Sequence, residues 1–115
     1  MDVISATREL GKAIQADERY LAFRDAQKAN EEDIELNGLI GKLNLIQMSY
    51  QHEAEGEANE EKMNAYDKEF REVYTEVMAN ANMRNYEEAR QEVDNMMNYV
   101  MQILSLCVNG EDPAT

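Results

Sequence analysis

Apolar residues recur along most of this chain at alternating steps of three and four, the spacing of one face of an α-helix. Leu36, Leu39, Leu43, Ile46 and Tyr50 form one such seam. Met63, Tyr66, Phe70, Val73 and Val77 form a second, and Tyr86, Ala89, Val93, Met96, Val100, Ile103 and Cys107 a third. A shorter version, Val3, Leu10 and Ile14, lies near the start. Each seam has the 3.5-residue period of coiled coils and antiparallel bundles. Nowhere do apolar and polar residues alternate over the length of a strand.

The punctuation between seams predicts five helices. Asp2 is a suitable N-cap for a helix over 2–16, and Asp17 for one over 18–29. Asn30-Glu31-Glu32-Asp33 reads either as a kink or as a fresh start, because Asn and acids suit a first helical turn. A long helix follows over 34–54. Residues 53–61 contain five glutamates, a glycine and no base, which marks an exposed linker. Helices over 60–80 and 84–108 complete the set, separated by the weak break Ala79-Asn80-Ala81-Asn82. Asn109-Gly110 is a good C-cap, and residues 109–115 are expected to fray. The only proline, Pro113, stands in that tail. The expectation is therefore a single all-α domain over 1–115: an antiparallel helical bundle of four to five helices with long amphipathic members.

Two helices carry more apolar face than one seam needs. In the long helix Ile34, Gly38, Gly41, Leu45 and Met48 form a second stripe, about 200° around the axis from the first. In the last helix Met97, Met101, Leu104 and Val108 do the same beside theirs. Glycine costs about 1 kcal/mol against alanine inside a helix, so Gly38 and Gly41 need a compensating gain. Close approach of a neighbouring backbone supplies one, and a flexible hinge is the alternative. The expectation is a homodimer or larger assembly, with Ile34, Gly38, Gly41, Leu45, Met48, Met97, Met101 and Leu104 as candidate interface. The competing arrangement is a monomer whose central helix is buried all round.

At 115 residues and 43% apolar composition the chain has one domain's worth of core-forming material. Its charge changes the picture of what it binds. With 24 acids against 11 bases the net charge is −13. Such a surface lacks the cations that neutralise phosphates, which argues against direct nucleic-acid binding and against docking on an anionic membrane. No apolar run approaches the roughly 18 residues of a membrane span. The N-terminal residues lack the basic and apolar regions of a signal peptide, and a lone cysteine fits a reducing cytoplasm.

Catalytic chemistry is hard to place. Ser49 and His52, three apart, can meet on a helix, but no orienting acid or oxyanion hole accompanies them. His52 is the only histidine, so neither a zinc-protease spacing nor a paired Glu-x-x-His di-iron site can form. The glutamates of 53–61 lack the ladder of a calcium loop. Glycines 11, 38, 41, 56 and 110 are too scattered to cradle phosphate. Cys107 falls on the seam of the last helix and is expected to be buried as a small hydrophobe; the alternative is a thiol ligating a metal or cluster between subunits. No catalytic, cofactor or metal site is expected. The residues point to a non-catalytic protein–protein interaction module, with a helical scaffold or chaperone-like protein as the alternative.

The layout as a whole carries a resemblance. An amphipathic first helix leads to Tyr20-Leu21-Ala22-Phe23-Arg24-Asp25-Ala26, then to the long Leu-rich helix 36–50 and a glutamate-rich linker ending Glu60-Glu61. Asn82-Met83-Arg84-Asn85-Tyr86-Glu87-Glu88-Ala89 then opens the last apolar helix. This resembles the YlbF/YmcA family of small bacterial proteins, which includes YheA-like members, over residues 2 to 108. The resemblance implies an all-helical, oligomeric, cytoplasmic regulator of developmental choices such as competence, sporulation and biofilm formation. It also implies a partner of the same family or a ribonuclease complex engaged in mRNA processing. Some relatives are associated with iron–sulfur clusters and a cysteine-rich tail. This chain has no cysteine after Cys107, so no cofactor is expected here.

Overall fold

The computed structural model describes residues 1–111. Among them the only regular elements are five helices: α1 (Val3–Ala16), α2 (Glu18–Glu32), α3 (Ile34–Glu55), α4 (Glu60–Ala79) and α5 (Ala81–Val108). The all-α expectation therefore holds.

Short polar side chains set the boundaries. Asp2 accepts the Ser5 amide at 2.7 Å and starts α1. Asp17 ends α1 and takes the Arg19 amide at 2.9 Å, so that one residue separates the two helices. Asp33 accepts the Leu36 amide at 2.9 Å and caps α3, while Asn59 accepts the Lys62 amide at 3.0 Å and caps α4. Each satisfies an N–H that has no partner within its helix. Glu60 and Glu61 follow in the first turn of α4, where negative charge suits the helix dipole. Gly110 closes α5 at φ +82°, with its own amide on the Cys107 carbonyl and the Glu111 amide on that of Leu106. That pair of bonds is a Schellman motif, and its left-handed residue favours glycine. The expectation of a frayed tail falls partly on residues 112–115, which lie outside the described residues.

Two boundaries differ from the sequence reading by more than one residue. α2 runs to Glu32 rather than Ala29, and Asp33 alone makes the break. α5 starts at Ala81 rather than Arg84, because Asn80 both ends α4 and caps α5 by accepting the Met83 amide at 3.0 Å. Asn30 and Asn82 do not break their helices. Asn resists a helix interior by bonding the nearby backbone, and here both amides are engaged elsewhere, Asn30 on the Met83 sulfur and Asn82 on Asp33.

The chain forms two compact units. One comprises Gln27–Asn85 and is built on the hairpin of α3 and α4. Glu35 and Leu39 share a groove with Glu76, Ala79 and Asn80, whereas Ile46 and Tyr50 share a cleft with Tyr66, Asp67 and Phe70. Positions that rise along α3 thus meet positions that fall along α4, and the two helices are antiparallel. Leu36, Ile46, Val73 and Val77 are its buried core. The other unit comprises Met1–Ala26 and the chain from Tyr86 on. Ala26 and Met96 are buried there, and Phe23 packs on Tyr86 with ring centroids 5.4 Å apart.

Candidate interaction surfaces

The first seams of α3 and α4 point inward. Leu36 is fully buried, Ile46 nearly so, and Leu39, Leu43, Met63, Tyr66 and Phe70 are half-buried. That leaves the second stripe of α3 facing water. Ile34 is 87% exposed and Leu45 66%, and Met48, Gly38 and Gly41 are exposed with them. Adjacent residues thus have opposite fates, Leu45 outward and Ile46 (6% exposed) inward, because successive helical positions turn by about 100°. Among the described residues nothing approaches the two glycines. A Cβ built on either meets no atom within 4 Å beyond its own helical backbone. The close backbone approach expected for them does not occur among the described residues.

In the other unit, α5 has the same two-faced character. Val93, Val100 and Ile103 are half-buried and Met96 is buried, whereas Met97, Met101 (60% exposed), Leu104 and Val108 are exposed. Tyr99 is exposed as well. No charged residue occurs from Asn95 to Gly110, in a chain where 30% of residues are charged. A helix apolar nearly all round ordinarily lies in an interior. Reading charge alongside apolar period would have found this segment from the sequence. On α1, Val3 and Ile4 are exposed, while Leu10 and Ile14 are half-buried.

Cys107 is exposed, which corrects the expectation that it packs as a small hydrophobe. It lies three heptads after Tyr86. A seam with a strict seven-residue repeat drifts by about 20° per heptad on a straight helix. By Cys107 the seam has turned about 60° away from the face that Tyr86 presents. No group of three or more His, Cys, Asp or Glu side chains among the described residues is arranged to hold a metal ion.

Ser49 and His52 do not form a nucleophile–base pair. The Ser49 hydroxyl donates to the Leu45 carbonyl at 2.9 Å, and His52 is exposed in the last turn of α3. The apolar cleft between Ile46, Tyr50, Tyr66 and Phe70 has a volume of about 170 Å³, below the roughly 300 Å³ at which small-molecule sites begin. No helix among the described residues is long and apolar enough to cross a membrane.

The polar feature that sequence reasoning missed is a knot at two helix junctions within the α3–α4 unit. One oxygen of Asp33 caps α3, and the other accepts the amide of Asn82 at 2.9 Å and that of Asn80 at 3.2 Å. The Leu36 amide first, and then the two asparagines, hold the Asp33 carboxyl below its ordinary range. Asn37 donates to the Glu31 carbonyl across the same break. In the other unit the Arg19 guanidinium, bonded to both Asp17 oxygens at 2.9 Å, lowers that carboxyl to about 2. On α5, Arg90 pairs with Glu87 at 2.7 Å and Asp94 at 3.3 Å, and its own ionisation is raised by Glu87 above all. These charges serve helix ends and helix surfaces, and the Asp33 knot reaches the α3–α4 groove only through Asn80.

Comparison with known proteins settles the lineage. The family described as "Control of competence regulator ComK, YlbF/YmcA" matches residues 3–109. The chain belongs to the YlbF/YmcA family. In three dimensions it is similar to a chain of the X-ray crystal structure of Bacillus subtilis RicA in complex with RicF. The TM-score is 0.84 with 19% sequence identity, over 94% of each chain. At that identity the likeness is one of fold, and it agrees with the five-helix architecture found here. None of the proteins of curated function matches in sequence. Membership places this chain among helical regulators.

Proposed function

We propose that this YlbF/YmcA-family member is a non-catalytic interaction module of the cytoplasm. It assembles with copies of itself, and with a partner of the same family or a ribonuclease-associated complex, to influence mRNA processing and developmental control. The observation that carries this reading is the pair of exposed apolar faces, Ile34–Leu45–Met48 on α3 and Met97–Met101–Leu104 on α5, beside seams whose central residues Leu36, Ile46, Val73, Val77 and Met96 are already buried. Each large apolar side chain moved from water into an interface contributes about 1.5–3 kcal/mol, so a partner has ample surface to gain. Further support comes from the similar fold of a chain in the RicA–RicF crystal structure, a complex of two proteins. The net charge of −13 makes this chain a poor ligand for RNA, so it would act on transcripts through an enzyme.

The test has two arms. Leu45→Gln and Met101→Gln chains, both retaining the parent's helical spectrum, are compared with the parent for self-association and for co-purification of a ribonuclease from its native cell. Loss of either interaction by a face variant supports the module. If the parent sediments as a 13 kDa particle at tens of micromolar, brings down no dominant partner and binds RNA tightly at physiological salt, the reading fails. Recovery of many unrelated clients through Met97 and Met101 would instead favour a chaperone-like scaffold.

A further inference from the structure

The exposed stripe on α3 has an order of sizes that matches itself when reversed. Ile34 and Met48 stand seven residues on either side of Gly41, and Gly38 and Leu45 stand three and four. If two α3 helices cross antiparallel with Gly41 at the two-fold axis, Ile34 of each copy meets Met48 of the other. Leu45 of each then fills the space over the other's Gly38. Such a match, large into small on both sides, is what an isologous interface requires. Parallel pairing would instead stack Leu45 on Leu45 and Ile34 on Ile34, large against large, and Gly38 and Gly41 each on its own copy.

Charge permits this face, as it permits the charge-free stretch Asn95–Gly110 of α5. Two copies of a chain with net charge −13 repel each other. From Leu36 to His52, however, the only charged residue is Lys42, with Glu35 just before it. This stretch has no net negative charge to set against a copy of itself. The α5 stripe, with Met97, Met101 and Leu104 and no small residue among them, has no such self-matching order.

We infer that the outer stripe of α3 is the surface that takes a second copy of this chain, packed antiparallel with Gly41 near the two-fold axis. The inference rests on the proposed interaction module and assigns one of its faces. It also gives the two glycines their reason, since close approach of backbones needs a residue without a Cβ.

The test uses the full chain with Cys107→Ser as background. Gly41→Cys should form an intersubunit disulfide under mild oxidation, because the two-fold brings the Cα atoms within the roughly 4.4–6.8 Å that a disulfide spans. Glu72→Cys, on an exposed position of α4, should not. Gly41→Leu should weaken self-association at least tenfold while raising the melting temperature of dilute monomer, since a Cβ at this position meets no atom within 4 Å among the described residues and leucine favours a helix over glycine. A purely structural role for Gly41 would move both readouts the same way. An intact oligomer that neither crosslinks through Gly41→Cys nor responds to Gly41→Leu overturns the assignment and leaves the interaction module standing. A parent chain that is monomeric at tens of micromolar overturns the assignment, and the module fails too only if no partner protein is found.

Discussion

Leu45→Gln separates the interface from the core more sharply than any other single change. The two side chains are similar in length and nearly equal in helix propensity, so α3 itself should not suffer. Leu45 is 66% exposed, so about two-thirds of its transfer free energy is still to be gained in the isolated chain. With about 1.5–3 kcal/mol for full burial of leucine, a partner gains about 1–2 kcal/mol from each copy. A two-fold interface holds two copies, and the loss is about 2–4 kcal/mol, or roughly 30- to 700-fold in Kd. Monomer stability should change by less than about 0.5 kcal/mol, as for an ordinary surface substitution. Sedimentation equilibrium gives the first quantity and urea denaturation of dilute protein the second. Ile46→Gln, one residue on but 6% exposed, should do the reverse and cost the fold itself. A Kd that moves less than threefold for Leu45→Gln, or a fall in monomer stability matching that of Ile46→Gln, would refute the two-faced reading of α3.

Other consequences follow from the core and the junctions. Leu36→Ala empties a fully buried large side chain and should lower unfolding free energy by about 2–5 kcal/mol in urea titrations. Asn80→Ala removes the cap on the Met83 amide and one donor to Asp33; it should cost about 1 kcal/mol and speed hydrogen exchange at Met83 before other amides of α5. The carboxyl of Asp17, lowered to about 2 by Arg19, favours the folded state above its unfolded value near 3.8. That contribution is lost as pH falls through the window from about 4 to 2. Asp17→Asn should therefore flatten the acid limb of a melting-temperature profile while leaving a smaller difference at high salt, since the pair is exposed. An unchanged acid limb would show that Asp17 is not part of the acid response.

Much of this architecture is legible in the order of residues. The seams of α3 and α4 were readable because a hairpin of two long helices has one large demand, an inward face every three to four residues, and Leu36, Ile46, Val73 and Val77 meet it. The helix start at Asp2 was open to reading because its oxygen is placed for an unpaired amide, whereas Asp33 stood in a stretch that read equally as a kink and the cap at Asn59 was hidden in the glutamate-rich linker. The Asn-rich stretch 80–85 was not open to reading either. An asparagine is a breaker or a tolerated helical residue according to what its amide finds, and Asn82 finds Asp33 far away in sequence. Cys107 was misplaced for a different reason, since the drift of a heptad seam on a straight helix accumulates with distance from its anchor. The stripe Ile34–Met48 was visible as apolar, but the second copy proposed to cover it leaves only the hint of self-matching sizes in a single chain's pattern.

The two-sidedness of α3 also bears on how this protein can drift over evolutionary time. Leu36, Leu39, Leu43 and Ile46 answer to the hairpin, and Ile34, Gly38, Gly41, Leu45 and Met48 to whatever lies outside it. Only lateral positions such as Asn37, Lys42, Asn44 and Gln47 are left to vary without consulting either neighbour, and Asn37 already has a duty to the Glu31 carbonyl. Saturation mutagenesis should therefore find α3 the least forgiving stretch of the molecule, and co-substitution between chains should be written along its outer edge.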